Sequence, residues 1–380
     1  MPWQPKAMMD IKQEFISLAS HPGANRRELC RRFGISPTTA YALLKRHAHE
    51  GQAALVARSR RPLASPCRTA PEMEQAVLDV RCEYPSWGAR KIARRLLDLG
   101  LSSVPSPSTV TAILHRHGCI CEAASLASQH WQRFEHEHPN ALWQMDFKGE
   151  FQTPQGWCYP LTVIDDHSRY SLAVQACANV STQAVQPHLQ RVFQHYGLPA
   201  RINTDNGAPW GTPREPDNSL SKLAVWLIRL GIRVSHSAPY HPQTNGKIER
   251  LHQTLKEDIL TGRSYAGLSE AQAAFERWRT TYNHVRPHDS LGLDTPDRHY
   301  RPSARAYPIA LTPIEYPPGD LVVTVGWNGA VRLNKHKFRV SNALLKLPIA
   351  LRPHASLDGC FDLFFCHQRF GRINLRELSS

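Results

Sequence analysis

Along the first 117 residues the apolar positions recur every three or four residues, the spacing of helices that pack by one face. From Ala141 onward, short apolar runs bounded by turn residues alternate with helical stretches, and from about residue 320 apolar and polar residues alternate. The pattern therefore predicts an all-α N-terminal part, a mixed α/β middle and an all-β tail.

Two helical segments of the N-terminal part repeat each other at an offset of 70 residues: Ser36–His47 and Ser106–His117 agree at seven of twelve positions. Each copy opens with Ser-Pro, the residues preferred at the N-cap and first turn of a helix. Each also follows another predicted helix that ends at a glycine, Gly34 or Gly100, and Asn25 is the predicted N-cap of the first of these helices. Helix, turn and capped helix make up the helix-turn-helix pattern, so we predict two tandem modules of this type.

First turns rich in Ser and Thr are typical of helices that enter the major groove of DNA. We expect the repeated helices to contact DNA through Ser36, Thr38, Thr39, Ser106, Ser108 and Thr109. The charge of the chain supports DNA binding. The whole chain has 46 Lys and Arg against 32 Asp and Glu, and its first 70 residues have twelve Lys and Arg against four Asp and Glu. Such an excess of positive charge attracts the phosphate backbone. The alternatives are ordinary helical hairpins packed on another part of the protein and a basic face that serves solubility.

The middle part begins with three predicted strands and continues with alternating helices and strands. The strands are expected at 143–147, 158–164, 169–176, 200–204 and 232–235, and the helices at 182–196, 222–230, from about 245, and at 270–283. Antiparallel strands followed by such alternation indicate a mixed sheet covered by helices.

Beyond this sheet, repeated prolines indicate a semi-rigid connector, and short strands at regular spacing predict a small β-barrel. The basic residues Lys335, Lys337 and Arg339 of this tail either contact phosphates or form a solvated face. The predicted domains are helix-turn-helix modules at 1–62 and 63–125, a linker at 126–140, the α/β core at 141–300, the connector at 301–319 and the barrel at 320–380.

Composition narrows the cellular setting. The sequence has no apolar run long enough to span a membrane, and its nine cysteines include no CxxC pair, which is typical of reduced thiols in a cytoplasmic protein. We therefore expect a cytoplasmic protein that does not bind membranes.

Three acidic residues occupy positions where burying a carboxylate without a cation would cost free energy. Asp146 lies inside an apolar strand, Asp205 ends the segment Ile-Asn-Thr-Asp, and Glu249 lies on the helix that follows Pro-Gln-Thr-Asn-Gly-Lys-Ile. If the strands of the two aspartates pair and the helix of Glu249 packs on the same sheet, the three carboxylates meet at one edge. Mg²⁺ prefers such oxygen ligands, and two ions about 3.5 to 4 Å apart would activate the attacking oxygen and stabilise the leaving oxygen of a phosphodiester.

At these residues the chain resembles the insertion-sequence transposases of the integrase-like DDE superfamily. The resemblance rests on Leu-Trp-Gln-Met-Asp (142–146), Thr-Asp-Asn-Gly (204–207) and His-Pro-Gln-Thr-Asn-Gly-Lys-Ile-Glu-Arg (241–250). It implies a ribonuclease-H-like core in which Asp146, Asp205 and Glu249 are catalytic and bind two Mg²⁺ ions, which Mn²⁺ would replace. It also implies cleavage at the ends of a mobile element and transfer of the 3′-OH into target DNA. The enzyme would act as a homo-oligomer on paired double-stranded ends, associated with the bacterial nucleoid.

Lys256 lies seven residues after Glu249, about 20° from the same helical face, where the family often has a basic residue and an ammonium group would hold a phosphate. It is otherwise an ordinary surface lysine. Further candidates for DNA contact flank the site: His241, Gln243, Asn245 and Arg250.

Two features depart from the family. The second and third acids are separated by 43 residues where the superfamily pattern has 35, and a Pro/Gly-rich loop at 211–219 accommodates the excess. The sequence also lacks the N-terminal His/Cys zinc spacing of retroviral integrases, which disfavours a retroelement integrase. A DNA-binding regulator or domesticated relative with an inactive core is the other alternative. Asp165 and Asp166 are interpreted as turn residues and not as a fourth ligand.

Overall fold

The computed structural model describes residues 8–57, 68–120, 136–211, 220–236, 246–333 and 336–375. Contacts divide the chain into two units, Met1–Arg68 and Thr69–Ser380. Most of the predicted linker at 126–140 and of the loop at 211–219 lies outside the described residues. Among the helices described, none combines the length and the apolar composition that a membrane span requires.

The first unit is built from three helices: α1 (Met8–Ala19), α2 (Arg26–Phe33) and α3 (Pro37–Glu50). Their apolar faces meet in a small cluster around Phe15. The predicted caps are confirmed, because Asn25 accepts a hydrogen bond from the N–H of Glu28 and Ser36 accepts one from the N–H of Thr39, both at 3.2 Å. The capped α3 is thus the second helix of the first helix-turn-helix module.

The second unit opens with three more helices: α4 (Pro71–Glu83), α5 (Ala89–Asp98) and α6 (Pro107–Arg116). They pack around the buried side chain of Trp87. The Oγ of Ser106 accepts a hydrogen bond from the N–H of Thr109 at 3.4 Å, and Gly100 follows α5 with a φ of 80°. The second predicted module therefore has the same capped helix as the first.

A mixed sheet forms the centre of the second unit. Its strands are β1 (Trp143–Phe147), β2 (Phe151–Thr153), β3 (Gly156–Asp165), β4 (Ser171–Cys177), β5 (Arg201–Thr204) and β6 (Arg233–His236). β1 lies between β3, which is antiparallel to it, and β5, which is parallel to it; β6 pairs with β5, and both β2 and β4 pair with β3. The predicted mixed sheet is confirmed, and so is the pairing of the two strands that lead to Asp146 and Asp205. The three-residue strand β2 was not predicted.

Helices cover both faces of the sheet. They are α7 (Thr182–Tyr196) and α8 (Lys222–Arg229) on one face, and α9 (Gly246–Leu255) and α10 (Leu268–His284) on the other. Side chains alternate along β1: Trp143 and Met145 pack with α7 and α8, so Gln144 and Asp146 lie on the face of α9 and α10. The helix α9 continues into a π turn, Lys256–Leu260, and α11 (Pro296–His299) follows α10.

The segment predicted as a connector lies along the core. The N–H of Ser303 donates to the carbonyl of Tyr196 at 2.8 Å, and the N–H of Leu198 donates to the carbonyl of Arg305 at 2.7 Å. Gly197 makes this approach possible, since a Cβ at that position would stand 2.6 Å from the carbonyl oxygen of Ser303. Backbone hydrogen bonds therefore fix the start of the segment to the sheet domain.

The tail contains β7 (Leu321–Thr324), β8 (Ala330–Leu333), β9 (His336–Arg339), β10 (Pro348–Pro353), β11 (Cys360–Phe365) and β12 (Gln368–Asn374). The order β12-β11-β10-β7 forms one antiparallel sheet, and β8 and β9 form a separate hairpin. The predicted small barrel is not confirmed, because the described residues of the tail form two sheets. Apolar side chains such as Leu351 and Phe365 belong to the same cluster as α8, so the tail packs apolar side chains against the core.

Candidate active site

The register between β1 and β5 brings the first two acids together. Gln144 is level with Asn203, and two residues farther along the parallel strands the same register sets Asp146 beside Asp205. Glu249 lies in the first turn of α9, which packs on the sheet face that carries Asp146. Both Asp205 and Glu249 act electrostatically on Asp146. The fold therefore assembles the three acids that the sequence predicted from separate segments.

The surroundings of Asp146 disfavour its charged form. Burial, followed by the negative charge of Asp205, raises the pKa of Asp146 to about 6, and Glu249 contributes in the same direction. The N–H of Phe147, 2.8 Å from Oδ1, and the nearby Lys148 act in the opposite direction. A divalent cation would relieve this repulsion between carboxylates.

Asp205 is held by the turn that follows β5. Its Oδ1 accepts a hydrogen bond from the N–H of Gly207 at 3.1 Å, and Nδ1 of His236 on β6 lies 2.9 Å from its carbonyl oxygen. An added Cβ at Gly207 would stand 3.1 Å from Oδ2 of the carboxylate. The glycine after Asp-Asn therefore leaves space directly beside the acid.

A buried polar network joins the start of α9 to β1. Nε2 of Gln144 donates to Asp166 at 2.8 Å, and Oε1 of Gln144 accepts a hydrogen bond from the N–H of Ile248 at 3.1 Å. Lys247 forms an ion pair with the same Asp166. Both Gln144 and Asp166 are only 2% exposed. Because Ile248 precedes Glu249, this network fixes the turn of helix that carries the third acid.

A second link lies one turn farther along α9. The hydroxyl of Thr162 on β3 lies 2.9 Å from the carbonyl oxygen of Asp146 and 2.7 Å from Nε2 of His252. Burial lowers the pKa of His252 to about 3, so the imidazole is neutral at neutral pH. This neutral ring connects α9 to the two strands beside Asp146.

The positioning roles of Gln144, Asp166, Lys247 and His252 were not predicted from the sequence. A signal existed for Gln144, which shares a strand face with Asp146, and for Lys247 and His252, which lie two and three residues from Glu249. Asp166 lies in the predicted turn between β3 and β4, where nothing local shows that its carboxylate binds a helix 81 residues away.

The other predicted site residues are placed as follows. Lys256 and Arg250 are exposed, and Lys256 begins the π turn. The predicted DNA contacts lie at the starts of α3 and α6, in different units; Thr109 is half-buried, and the exposed ones are Ser36, Thr38, Thr39, Ser106 and Ser108. Three predicted contacts lie outside the described residues: His241, Gln243 and Asn245. Lys335, one of the basic residues of the tail, also lies outside them.

The donor set fits Mg²⁺, because three carboxylates lie near one another and the charges of Asp205 and Glu249 both disfavour the charged form of Asp146. Within the ranges that the structure describes, no group of three or more His, Cys, Asp or Glu side chains already has the arrangement of a metal site.

Residues 136–242 and 230–296 each match a family model described as an integrase core domain. This part of the chain is thus similar to integrase core domains. Residues 11–62 match a helix-turn-helix domain and residues 39–114 a homeodomain-like domain. The residues matched to integrase core models include all three acids, and those matched to helix-turn-helix and homeodomain-like models precede them.

Curated relatives include two proteins of bacterial insertion elements. A 39.2 kDa protein of insertion element IS476 from Xanthomonas euvesicatoria is 28% identical over 158 residues, 42% of this chain and 43% of that protein. A 31.7 kDa protein of insertion element IS407 from Burkholderia multivorans is 25% identical over 158 residues, 42% of this chain and 54% of that protein. The match thus spans about half the length of these relatives. The predicted resemblance to the insertion-sequence group of the integrase superfamily is confirmed.

The solved structures to which this chain is similar include integrase catalytic cores. The catalytic core domain of BIV integrase is 20% identical and covers 42% of this chain and 92% of that chain, with a TM-score of 0.31. The HTLV-2 integrase catalytic core domain in complex with magnesium is 19% identical and covers 43% and 99%, also with a TM-score of 0.31.

Proposed function

We propose that this chain is a transposase that binds the ends of a mobile DNA element, cuts a phosphodiester bond there with Mg²⁺ and joins the resulting 3′-OH to target DNA. The observation that carries the proposal is the convergence of Asp146, Asp205 and Glu249 at one edge of the sheet of an integrase core domain. The insertion-element origin of its relatives agrees with this function.

In this mechanism Asp146, Asp205 and Glu249 hold two Mg²⁺ ions, for which Mn²⁺ substitutes. The metal, when bound, favours the deprotonated form of the attacking oxygen and stabilises the leaving oxygen. Gln144 and Lys247 position the helix of Glu249, because Gln144 on β1 accepts a hydrogen bond from the N–H of Ile248 and Lys247 pairs with Asp166 in the turn after β3. The exposed Lys256 holds a phosphate next to the cut bond.

DNA binding is assigned to both helix-turn-helix modules. The starts of α3 and α6 contact the bases of the element ends, and the net charge of +14 attracts the phosphate backbone. Near the acids, His241, Gln243, Asn245 and Arg250 contact the terminal nucleotides. The active form is a homo-oligomer that holds two ends together, in the bacterial cytoplasm and associated with the nucleoid.

The test is Mg²⁺-dependent cleavage of a labelled duplex that carries the inverted repeats flanking the coding region. Asp205→Asn should lower cleavage by orders of magnitude while DNA binding and the melting temperature survive. Glu150→Gln, which changes an exposed acid on the same segment as Asp146, should cleave like the wild type. Full cleavage by Asp205→Asn would contradict the assignment.

A further inference from the structure

The helix that carries Glu249 ends in the π turn Lys256–Leu260, and the carboxylate of Asp258 in this turn binds three donors. It accepts hydrogen bonds from Oγ of Ser86 at 2.6 Å and from Nε1 of Trp278 at 2.8 Å, and Nη1 of Arg286 lies 3.4 Å away. Ser86 belongs to the loop between α4 and α5, in the second helix-turn-helix module. One acidic residue thus joins the catalytic helix to a DNA-binding module.

The ion pair between Arg286 and Asp258 within this contact is largely shielded from water. The side chain of Arg286 is 8% exposed and that of Asp258 is 19% exposed, and Arg286 also lies 3.4 Å from the hydroxyl of Ser86. A buried ion pair is favourable only when further hydrogen bonds satisfy both groups, and its best-attested role is to fix one arrangement. The π turn is the local feature that places Asp258 here, and such turns occur frequently at functional sites.

Two further contacts hold the same face of the module. Arg94 of α5 binds Asp294 at 2.9 Å and Asp98 of its own helix at 3.0 Å. Val285, at the end of α10, packs against the apolar cluster of α4, α5 and α6. The module is therefore anchored at several points, to the catalytic helix through Asp258 and to the region after α10 through Val285, Asp294 and the ion pair between Arg90 and Asp289.

We propose that this Asp258 anchor makes the second helix-turn-helix module a fixed part of the catalytic body. The module would thereby set the number of base pairs between the sequence bound by α6 and the bond that is cut. Only the second statement, on the position of the cut bond, rests on the proposed function; the docking of the module does not. Because α6 packs on α5 in one apolar cluster, any movement of the module would move α6 relative to Glu249.

Amide hydrogen exchange of the full-length protein without DNA tests the docking. Asp258→Asn combined with Arg94→Ala should speed exchange in α5 and in the loop around Ser86 by about tenfold or more, since at least one net hydrogen bond is lost. Glu257→Gln is the matched control, because Glu257 lies in the same turn and is exposed. Ser86→Ala removes a single exposed hydroxyl and should give a smaller shift in the same direction, which keeps the test decisive if the double variant is unstable. Unchanged exchange in these variants would overturn the docking.

Mapping of the cut bond in the end duplex tests the spacing. Wild-type protein and Glu257→Gln should cut mainly at one bond, whereas the anchor variants should cut neighbouring bonds several-fold more often. A single cut position in variants whose exchange has risen would overturn the spacing role. Wild-type protein that makes no metal-dependent cut would overturn the proposed function and the spacing role with it, while the exchange result would still decide the docking.

Discussion

The fold disfavours the charged form of Asp146, and a bound metal ion would remove this penalty. Its pKa is raised from 3.8 to about 6, first by burial and then by Asp205. That difference corresponds to roughly 3 kcal/mol, and solvent screening removes part of it. The folded protein without divalent cations is accordingly less stable at neutral pH than it would be with an uncharged group at this position.

Asp146→Asn should therefore stabilise the metal-free protein while it abolishes cleavage. We expect a gain of about 1 to 2 kcal/mol in the free energy of unfolding at neutral pH in EDTA. Because the folded state binds this proton more tightly than the unfolded state, the Asp146 contribution to wild-type stability should fall as pH rises from about 4 to about 6 and stay level above. Denaturant titrations at several pH values measure this. A variant no more stable than Glu150→Gln would contradict the account.

Gln144→Met should raise the Mg²⁺ concentration needed for half-maximal cleavage several-fold. The substitution leaves the N–H of Ile248 and one oxygen of Asp166 without their Gln144 partner, so the start of α9 is less firmly held. The matched control is Gln253→Met, at an exposed position on the same helix. A loss of stability with an unchanged Mg²⁺ requirement would show that Gln144 is structural only.

Lys256→Ala should weaken binding of the terminal nucleotides and reduce the slope of affinity against salt by about one. Cleavage should fall while the Mg²⁺ requirement stays as in the wild type. Binding isotherms at several salt concentrations, together with Mg²⁺ titrations of cleavage, separate the two effects. A shifted Mg²⁺ requirement with an unaltered salt slope would mean that the lysine acts on the carboxylates.

Helices and strands of the core were predictable where their causes are local. The caps at Asn25, Ser36 and Ser106 are set by the side chain of a single residue, and each forms the expected hydrogen bond. The helix α9 followed from its apolar stripe, but the π turn at its end did not, because Asp258 is turned toward partners distant in the sequence. The predicted barrel is not confirmed for a related reason. Alternation of apolar and polar residues predicts strands, but it does not show what packs against their apolar face.

Arg305, in the segment predicted as a connector, also makes contacts with residues distant in the sequence, and their contribution to stability can be measured. Arg305 donates to the carbonyls of Pro199, Leu230 and Gly231 at 2.7 to 3.2 Å. Arg305→Ala should lower the free energy of unfolding by about 2 to 3 kcal/mol, since several charge-assisted hydrogen bonds are lost. Arg277→Ala, at an exposed position of α10, should change it by less than about 0.5 kcal/mol. Equal effects of the two substitutions in denaturant titrations would contradict the role of Arg305.

The second helix-turn-helix module belongs to the same unit as the core, whereas the sequence pattern predicted a separate domain at 63–125. The three acids were predictable because each lies in a distinctive phrase. The docking of α4–α6 was not, because its ion pair between Arg94 and Asp294 and its hydrogen bond between Arg286 and Ser86 each join residues 200 positions apart.

Deletion of residues 1–68 should therefore leave a cooperatively folded protein, because it removes one complete unit. Deletion of residues 1–125 should lower the melting temperature by several degrees, since it exposes Val285 and leaves Asp258 without Ser86 and Asp294 without Arg94. Thermal melts of the two truncated proteins decide this. Equal melting temperatures would contradict the docked arrangement.

Strand transfer tests the central claim most directly. Full-length protein is incubated with Mg²⁺, a duplex that ends in the element's terminal 3′-OH and a supercoiled plasmid, and the joined product is quantified. The account predicts joined product with the wild-type protein, none in EDTA, and none with Asp146→Asn, Asp205→Asn or Glu249→Gln, although all three variants still bind the duplex. Joining by any of the three variants at the wild-type level would contradict it.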